Sequence, residues 1–420
     1  GSFYFALKLI LNHTSGFLMT LFSSIFFGLA LSSKISALYI LPLNFGIILL
    51  FFLKEQSSLL KRIIKYLLFA IYYLLFVYLS LRFANPYYFQ NSNFFDLRLS
   101  ESFVSSINNL KLFTTKEAWY PPGVQWINKP VWALLSTTFF AGLGPINFMV
   151  MIIGLFFIVN SKFKIVNRRK SIFNFKFNIF SLIFFWVVGY FIYQSLQFAK
   201  SIRYTIYLYP FFAIFGGVGI SVISYWLLVI GKKFLKRKFL LYVLRSTLYV
   251  ILLIWPVLFS TIYFHKNTRV EASEWIYKNL PTNLVILGEH WDDPLPLYVE
   301  DNYGKNFQVE SLPVFDPDTP EKWQKMREFL KKADYYVLSS NRGWGSIPTV
   351  PERYPKMSQF YQALLTNNCQ KQKELTGVCY KKIKEFLPYY YKFIHYPDSW
   401  IEETFTVYDH QTVLVYERIR

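Results

Sequence analysis

Long apolar runs govern what this chain can fold into. They lie near residues 17–32, 35–53, 66–83, 131–160, 179–196, 204–230 and 246–264, and residues 3–11 resemble the end of another. A helix across a ~30 Å hydrocarbon core takes about 20 apolar residues. In lipid the backbone has no water to bond, so such runs are read as α-helices that satisfy their own N–H and C=O groups. The chain is 54% hydrophobic and 21% aromatic, which excludes a disordered or fibrous protein. Two cysteines in 420 residues exclude a disulfide scaffold or a multi-cysteine metal domain.

The net charge of +20 is placed unevenly. Residues 1–264 carry 25 Lys and Arg against 4 Asp and Glu, whereas residues 265–420 carry 20 against 21. The excess therefore sits in the apolar part, where it reads as membrane topology and not as a nucleic-acid surface. Three loops hold it: Lys54, Lys61, Arg62 and Lys65; Lys162, Lys164, Arg168, Arg169, Lys170 and Lys176; and Lys232, Lys233, Lys236, Arg237, Lys238 and Arg245. Glu55 is their only acid. The positive-inside rule puts all three in the cytoplasm. Alternation then places 84–130 and everything after about Tyr263 outside. The run 131–160 contains Gly142, Gly144 and Pro145, so it is read as one span preceded by a re-entrant or interfacial stretch.

From residue 265 the texture becomes that of an α/β domain. Thr268 and Glu271 resemble a capping box opening a helix towards Leu280, and Thr319-Pro320 opens another through Lys332. Leu284–Leu287 and Tyr335–Leu338 read as buried strands, Met357–Leu365 as a helix, and Thr404–Tyr408 with Val413–Tyr416 as a terminal hairpin. Helices alternating with strands predict a small doubly wound domain of about 150 residues. Cys369 and Cys379 are either bridged or two unpaired thiols. Asn12-His13-Thr14 matches a glycosylation acceptor but falls on the inner side by parity. Gly1-Ser2 runs straight into an apolar segment, so a native N-terminus further upstream is expected.

Polar groups beside lipid are the functional candidates. Lys34, Lys200 and Arg203 stand at span ends assigned to the outside. Three cations there suit a lipid phosphate, Arg203 best through its planar fork, although snorkelling or pairing with outer acids accounts for them equally. The 84–130 segment carries Asp96, Glu101 and Glu117, which are candidate bases or simply partners of Arg98, Lys111, Lys116 and Lys129. Trp119, Tyr120 and Trp126, around Pro121-Pro122-Gly123, offer flat faces for sugars or interface lipids. Glu289-His290-Trp291-Asp292-Asp293-Pro294 follows a strand, but no histidine cluster at ligand spacing accompanies it, so a structural turn is preferred to a metal or catalytic site.

Several segments resemble one family. Gly28-Leu29-Ala30-Leu31-Ser32-Ser33-Lys34-Ile35-Ser36-Ala37-Leu38 is similar to the span pair with an embedded lysine of polyprenyl-phosphate-sugar-dependent glycosyltransferases of the GT-C fold, the protein O-mannosyltransferase and aminoarabinose transferase relatives. Tyr120-Pro121-Pro122-Gly123-Val124-Gln125-Trp126, Arg203-Tyr204 with Tyr209-Pro210, Ala272-Ser273-Glu274-Trp275-Ile276, Glu289-His290-Trp291-Asp292-Asp293 and Phe405-Thr406-Val407-Tyr408-Asp409-His410 resemble segments of its bacterial members. The resemblance implies a polytopic helical membrane domain over 1–264 and an extracytoplasmic α/β domain over 265–420 in a bacterial plasma membrane. It also implies a polyprenyl-phosphate sugar donor, a glycan, lipid or protein acceptor, and inverting transfer assisted by a carboxylate base. Lys34, Lys200 and Arg203 would hold the phosphate, with Trp119, Tyr120 and Trp126 shaping the pocket. A divalent metal stays open. In that family the catalytic acid follows the first span, and this chain has no Asp or Glu before Glu55. The acid is therefore expected upstream, with Asp96 and Glu117 as fallbacks. The alternatives are a membrane-anchored binding or assembly protein and, less favoured, a transporter.

Overall fold

A computed structural model describes residues 1–11, 16–112, 115–116, 120–159, 179–234, 238–300, 302–397 and 400–419. The Asn12-His13-Thr14 site, the basic stretch 162–176, Glu117 and Trp119 lie outside the described residues.

Six helices are long and apolar enough to cross a membrane: Gly16–Ser33, Ile35–Leu53, Leu59–Ala84, Ile179–Leu196, Ile202–Val229 and Tyr242–Tyr263. These mark a membrane protein. The run 131–160 is two helical pieces, Ala133–Gly142 and Pro145–Val159, bent by 115°, which makes it a broken span or a re-entrant loop. The break has a local cause, since Gly144 adopts φ +75° and Pro145 has no N–H to continue the ladder. Trp255 fixes it by donating from Nε1 to the Ala141 carbonyl at 3.1 Å, with its ring where a Gly144 side chain would be.

The chain forms two compact units. The first comprises residues 1–112, 150–194 and 207–223; the second comprises 113–149, 195–206 and 224–420. In the first, Leu9, Phe27, Leu31, Ile48, Phe52, Tyr73 and Val77 form an apolar core among the opening helices. Asn44 is buried there and donates to the Tyr73 hydroxyl at 2.8 Å. The helices carrying Gly154 and Gly219 touch backbone to backbone, for a Cβ on Gly154 would collide with the Phe215 carbonyl and one on Gly219 with the Val150 carbonyl. Small residues at such crossings are how helices associate where lipid removes the hydrophobic drive.

The second unit holds a five-stranded sheet. Its strands are β1 (Leu284–Glu289), β2 (Phe307–Leu312), β3 (Tyr335–Leu338), β4 (Cys379–Phe386) and β5 (Val413–Ile419). The order is β2-β1-β3-β5-β4, with β1 parallel to β2 and β3, and β5 antiparallel to β3 and β4. Strand side chains alternate between faces, and both faces are covered. Ile286, Val337, Val413 and Val415 pack with Ala272 and Ile276 of the helix Thr268–Asn279. Leu287, Tyr336, Leu338, Leu414 and Tyr416 pack with Trp323, Met326, Phe360 and Leu364 of the helices Pro320–Lys332 and Pro355–Leu365.

Thr319 caps its helix by accepting from the Lys322 N–H, with Pro320 in the first turn. At the other predicted start the cap is Asn267, whose side chain accepts from the Arg269 N–H. Thr268 is buried and donates to the Gln411 carbonyl at 2.6 Å, so a tertiary partner takes the hydroxyl that a capping box would use. The predicted hairpin is corrected as well. Residues 403–406 form a helical turn, Glu403–Thr406, and β5 pairs with β3 and β4. Thr404 donates its hydroxyl to the Glu402 carboxylate and Thr406 to the Glu403 carbonyl, local bonds that compete with a strand ladder. Cys369 and Cys379 are bridged, tying the helix Cys369–Thr376 to β4.

Candidate active site around Glu402 and Glu403

Two adjacent acids, Glu402 and Glu403, are buried in the second unit, with 2% and 5% of their surfaces exposed. Buried carboxylates need donors. Glu402 receives the Ser201 hydroxyl, the Ile202 N–H and the Thr404 hydroxyl, each at 2.9 Å. Burial pushes its carboxyl up to about 7, and these donors together with the charge of Arg203 oppose the rise.

Glu403 is less completely satisfied. Arg342 donates from Nε to its Oε1 at 3.1 Å, and its backbone N–H is held by Gln125 Oε1 at 3.0 Å. Its Oε2 has no hydrogen-bond partner among the described residues. Burial pushes this carboxyl up to about 8, against the pull of Arg342. Glu403 also lines a cavity of about 620 Å³, together with Gln125, Lys129, Asn341, Trp344, Gln359 and Gln362. A cavity-lining residue whose carboxyl has a raised pKa and an unpartnered oxygen is a candidate for proton exchange near neutral pH.

The elements around the pair are set by ordinary packing. The turn Pro121–Trp126 is anchored by Val124 in the core beneath the sheet, and Asn128 donates to the Thr349 carbonyl at 2.9 Å and to Glu352 at 3.0 Å. That anchoring presents Gln125 to Glu403. Arg342 also donates to the Trp291 carbonyl, and Asp292 receives Arg269 at 2.6 Å as well as the Ser340 hydroxyl. Asp293 pairs with Arg269 too. Glu289 is fully buried and accepts from the hydroxyls of Tyr336 and Tyr361 at 2.5 and 2.6 Å, with burial pushing it up to about 7. Gly343 sits against these groups, where a Cβ would meet both Tyr361 and Glu289. The segment 289–294 is thus a structural turn with its acids engaged. Among the described residues no group of three or more His, Cys, Asp and Glu side chains could hold a metal ion.

The sequence-predicted residues are distributed as follows. Lys200 is buried, and burial together with nearby Lys116 lowers its pKa. Arg203 is exposed, lies over the Tyr204 ring and donates to its hydroxyl at 3.3 Å. Both belong to the segment that supplies Ser201 and Ile202 to Glu402. Trp126 is buried beside Lys129, Trp132, Trp400 and Glu402 in a second, small pocket, and Tyr120 meets Trp291 edge-on at 6.1 Å. Compared with protein-family models, with curated proteins and with solved structures, the chain matches none.

Lys34 and Asp96 belong to the first unit. Lys34 is exposed between Gly16–Ser33 and the turn Ile35–Ile40, with its carbonyl accepting from the Ala37 N–H. Asp96 is clamped by Arg98 at 2.7 and 2.9 Å, and these bonds hold its carboxyl well below the usual range. Its predicted pairing with Arg98 is what the geometry shows, which leaves it poorly suited to act as a base. The acids that do gather groups around them, Glu402 and Glu403, were not singled out in the sequence. Their one local signal is an acidic doublet before Thr404, in a stretch whose β-branched and aromatic residues read as a strand.

Proposed function

We propose that the chain is an integral-membrane glycosyltransferase that moves a sugar from a polyprenyl-phosphate carrier to an acceptor hydroxyl on the extracytoplasmic side, where positive-inside alternation puts residues 265–420. The observation carrying this reading is Glu403, a buried acid that has one unpartnered oxygen and belongs to the lining of a cavity of about 620 Å³. In the step, Glu403 takes the proton of the acceptor hydroxyl as its oxygen attacks the anomeric carbon. A new glycosidic C–O bond forms on the face opposite the leaving group, so the configuration inverts. The bond from that carbon to the phosphate oxygen breaks, and its electron pair departs with the lipid phosphate. Lys200 and Arg203 stabilise that phosphate. Arg342 keeps Glu403 oriented, and Gln125 fixes its backbone. The resemblance to GT-C glycosyltransferases supports the donor class.

The test is reconstitution of the full chain in vesicles with a radiolabelled polyprenyl-phosphate hexose and an envelope acceptor fraction. Label is expected to pass to acceptor with wild type and to be lost with Glu403→Gln and Arg203→Ala. No transfer by wild type, with a co-purifying protein instead, would replace this reading by that of a membrane-anchored assembly protein.

A further inference from the structure

The cavity beside Glu403 has a chemistry of its own. One wall is a single face of the helix Pro355–Leu365, because Pro355, Ser358, Gln359, Gln362 and Leu365 recur at helical spacing and all line it. Gln359 and Gln362 are exposed, and their side-chain amides make no hydrogen bond among the described residues. Lys129, Asn341, Trp344 and Glu403 line it as well. Two of these residues also carry a buried side-chain atom without a partner among the described residues, Oε2 of Glu403 and Nε1 of Trp344. A sugar hydroxyl both donates and accepts. Side-chain amides likewise offer both functions, and an indole adds a flat apolar face for the C–H side of a sugar ring.

Charge argues for a neutral occupant. Lys129 and Glu403 both line the cavity, so its wall carries no net excess of either sign, and Glu403 is already paired with Arg342 at 3.1 Å. The volume falls within the roughly 300–1,000 Å³ of small-molecule sites. We infer that this cavity is a binding site for a neutral, polyhydroxylated carbohydrate chain, gripped by Gln359, Gln362, Asn341 and Trp344. The site stands on its own geometry, and only its role as the acceptor subsite rests on the transfer reading above.

The experiment uses the full chain in lipid nanodiscs with maltotriose, cellotriose, chitotriose and mannotriose as probes, followed by tryptophan emission and saturation-transfer NMR. At least one trisaccharide is expected to bind saturably. The double variant Gln359→Ala/Gln362→Ala, altered only on the exposed helix face, is expected to weaken it at least tenfold with an unchanged melting temperature, and Trp344→Ala to weaken it also. Absence of saturable binding to wild type, or equal binding by the double variant, overturns the site. Transfer and binding fail separately: binding without transfer removes the transferase and keeps the carbohydrate site. Transfer with an unchanged acceptor KM in the double variant removes the site and keeps the transferase.

Discussion

Arg342 holds Glu403 by one carboxylate oxygen, donating from Nε to Oε1 at 3.1 Å, and leaves Oε2 without a partner among the described residues. The asymmetry gives one buried side chain two tasks. Oε1 anchors it, and Oε2 is left for a proton. Arg98, by contrast, engages both oxygens of Asp96.

Replacing Glu403 by Gln keeps the shape and an acceptor for Arg342 but removes the base. Transfer is expected to fall by about 10²–10⁴-fold, the usual range for a general base, while far-UV circular dichroism and detergent-extracted yield stay at wild-type levels. A rate within threefold of wild type assigns the base elsewhere.

The raised carboxyls also make stability depend on pH. Glu402 and Glu403 sit near 7 and 8 in the fold against an ordinary value of 4.5, so between about 4.5 and 8 the folded chain holds protons that the unfolded chain has released. The stabilisation is complete below about 4.5 and is lost as pH rises through 8. The melting temperature of the full chain is expected to decline across that window, and less steeply in a Glu402→Gln/Glu403→Gln variant. Transfer runs the other way, rising with an apparent pKa near 8 as Glu403 ionises.

Reducing the Cys369–Cys379 bridge releases a loop with a sequence separation of 10. Loop-closure entropy for so short a ring is worth about 3 kcal/mol. Dithiothreitol is expected to lower the melting temperature of wild type by several degrees. A Cys369→Ser/Cys379→Ser variant starts lower and does not respond.

At the glycine crossing, Gly154→Leu places a side chain where the Phe215 carbonyl now lies. Forcing the helices apart costs about 1–3 kcal/mol or more, and the variant is expected to aggregate on extraction while Gly189→Leu, with open space at its Cβ, extracts normally. Equal extraction of the two would remove the packing role given to Gly154.

How much of this was legible beforehand follows from the range of each interaction. The apolar runs near 17–32, 35–53, 66–83, 179–196, 204–230 and 246–264 determine the candidate spans, because lipid rewards length and composition with no knowledge of partners. Gly144-Pro145 already carries the break in the run 131–160. Thr319-Pro320 likewise carries its helix start, a local hydrogen bond plus a fixed φ. Tyr335–Leu338 reads as a buried strand on its own. Tertiary structure decided the rest. Thr268 was drawn from its cap by Gln411, 143 residues away in the chain, and Thr404 and Thr406 joined a helical turn in which the Glu402 carboxylate and the Glu403 carbonyl accept from their hydroxyls. Glu402 and Glu403 themselves became a candidate site only when Ser201, Gln125 and Arg342 were brought to them from three distant segments. A carboxylate's pKa and its spare oxygen are set by burial and by partners far away in the chain, which no local pattern of residues records.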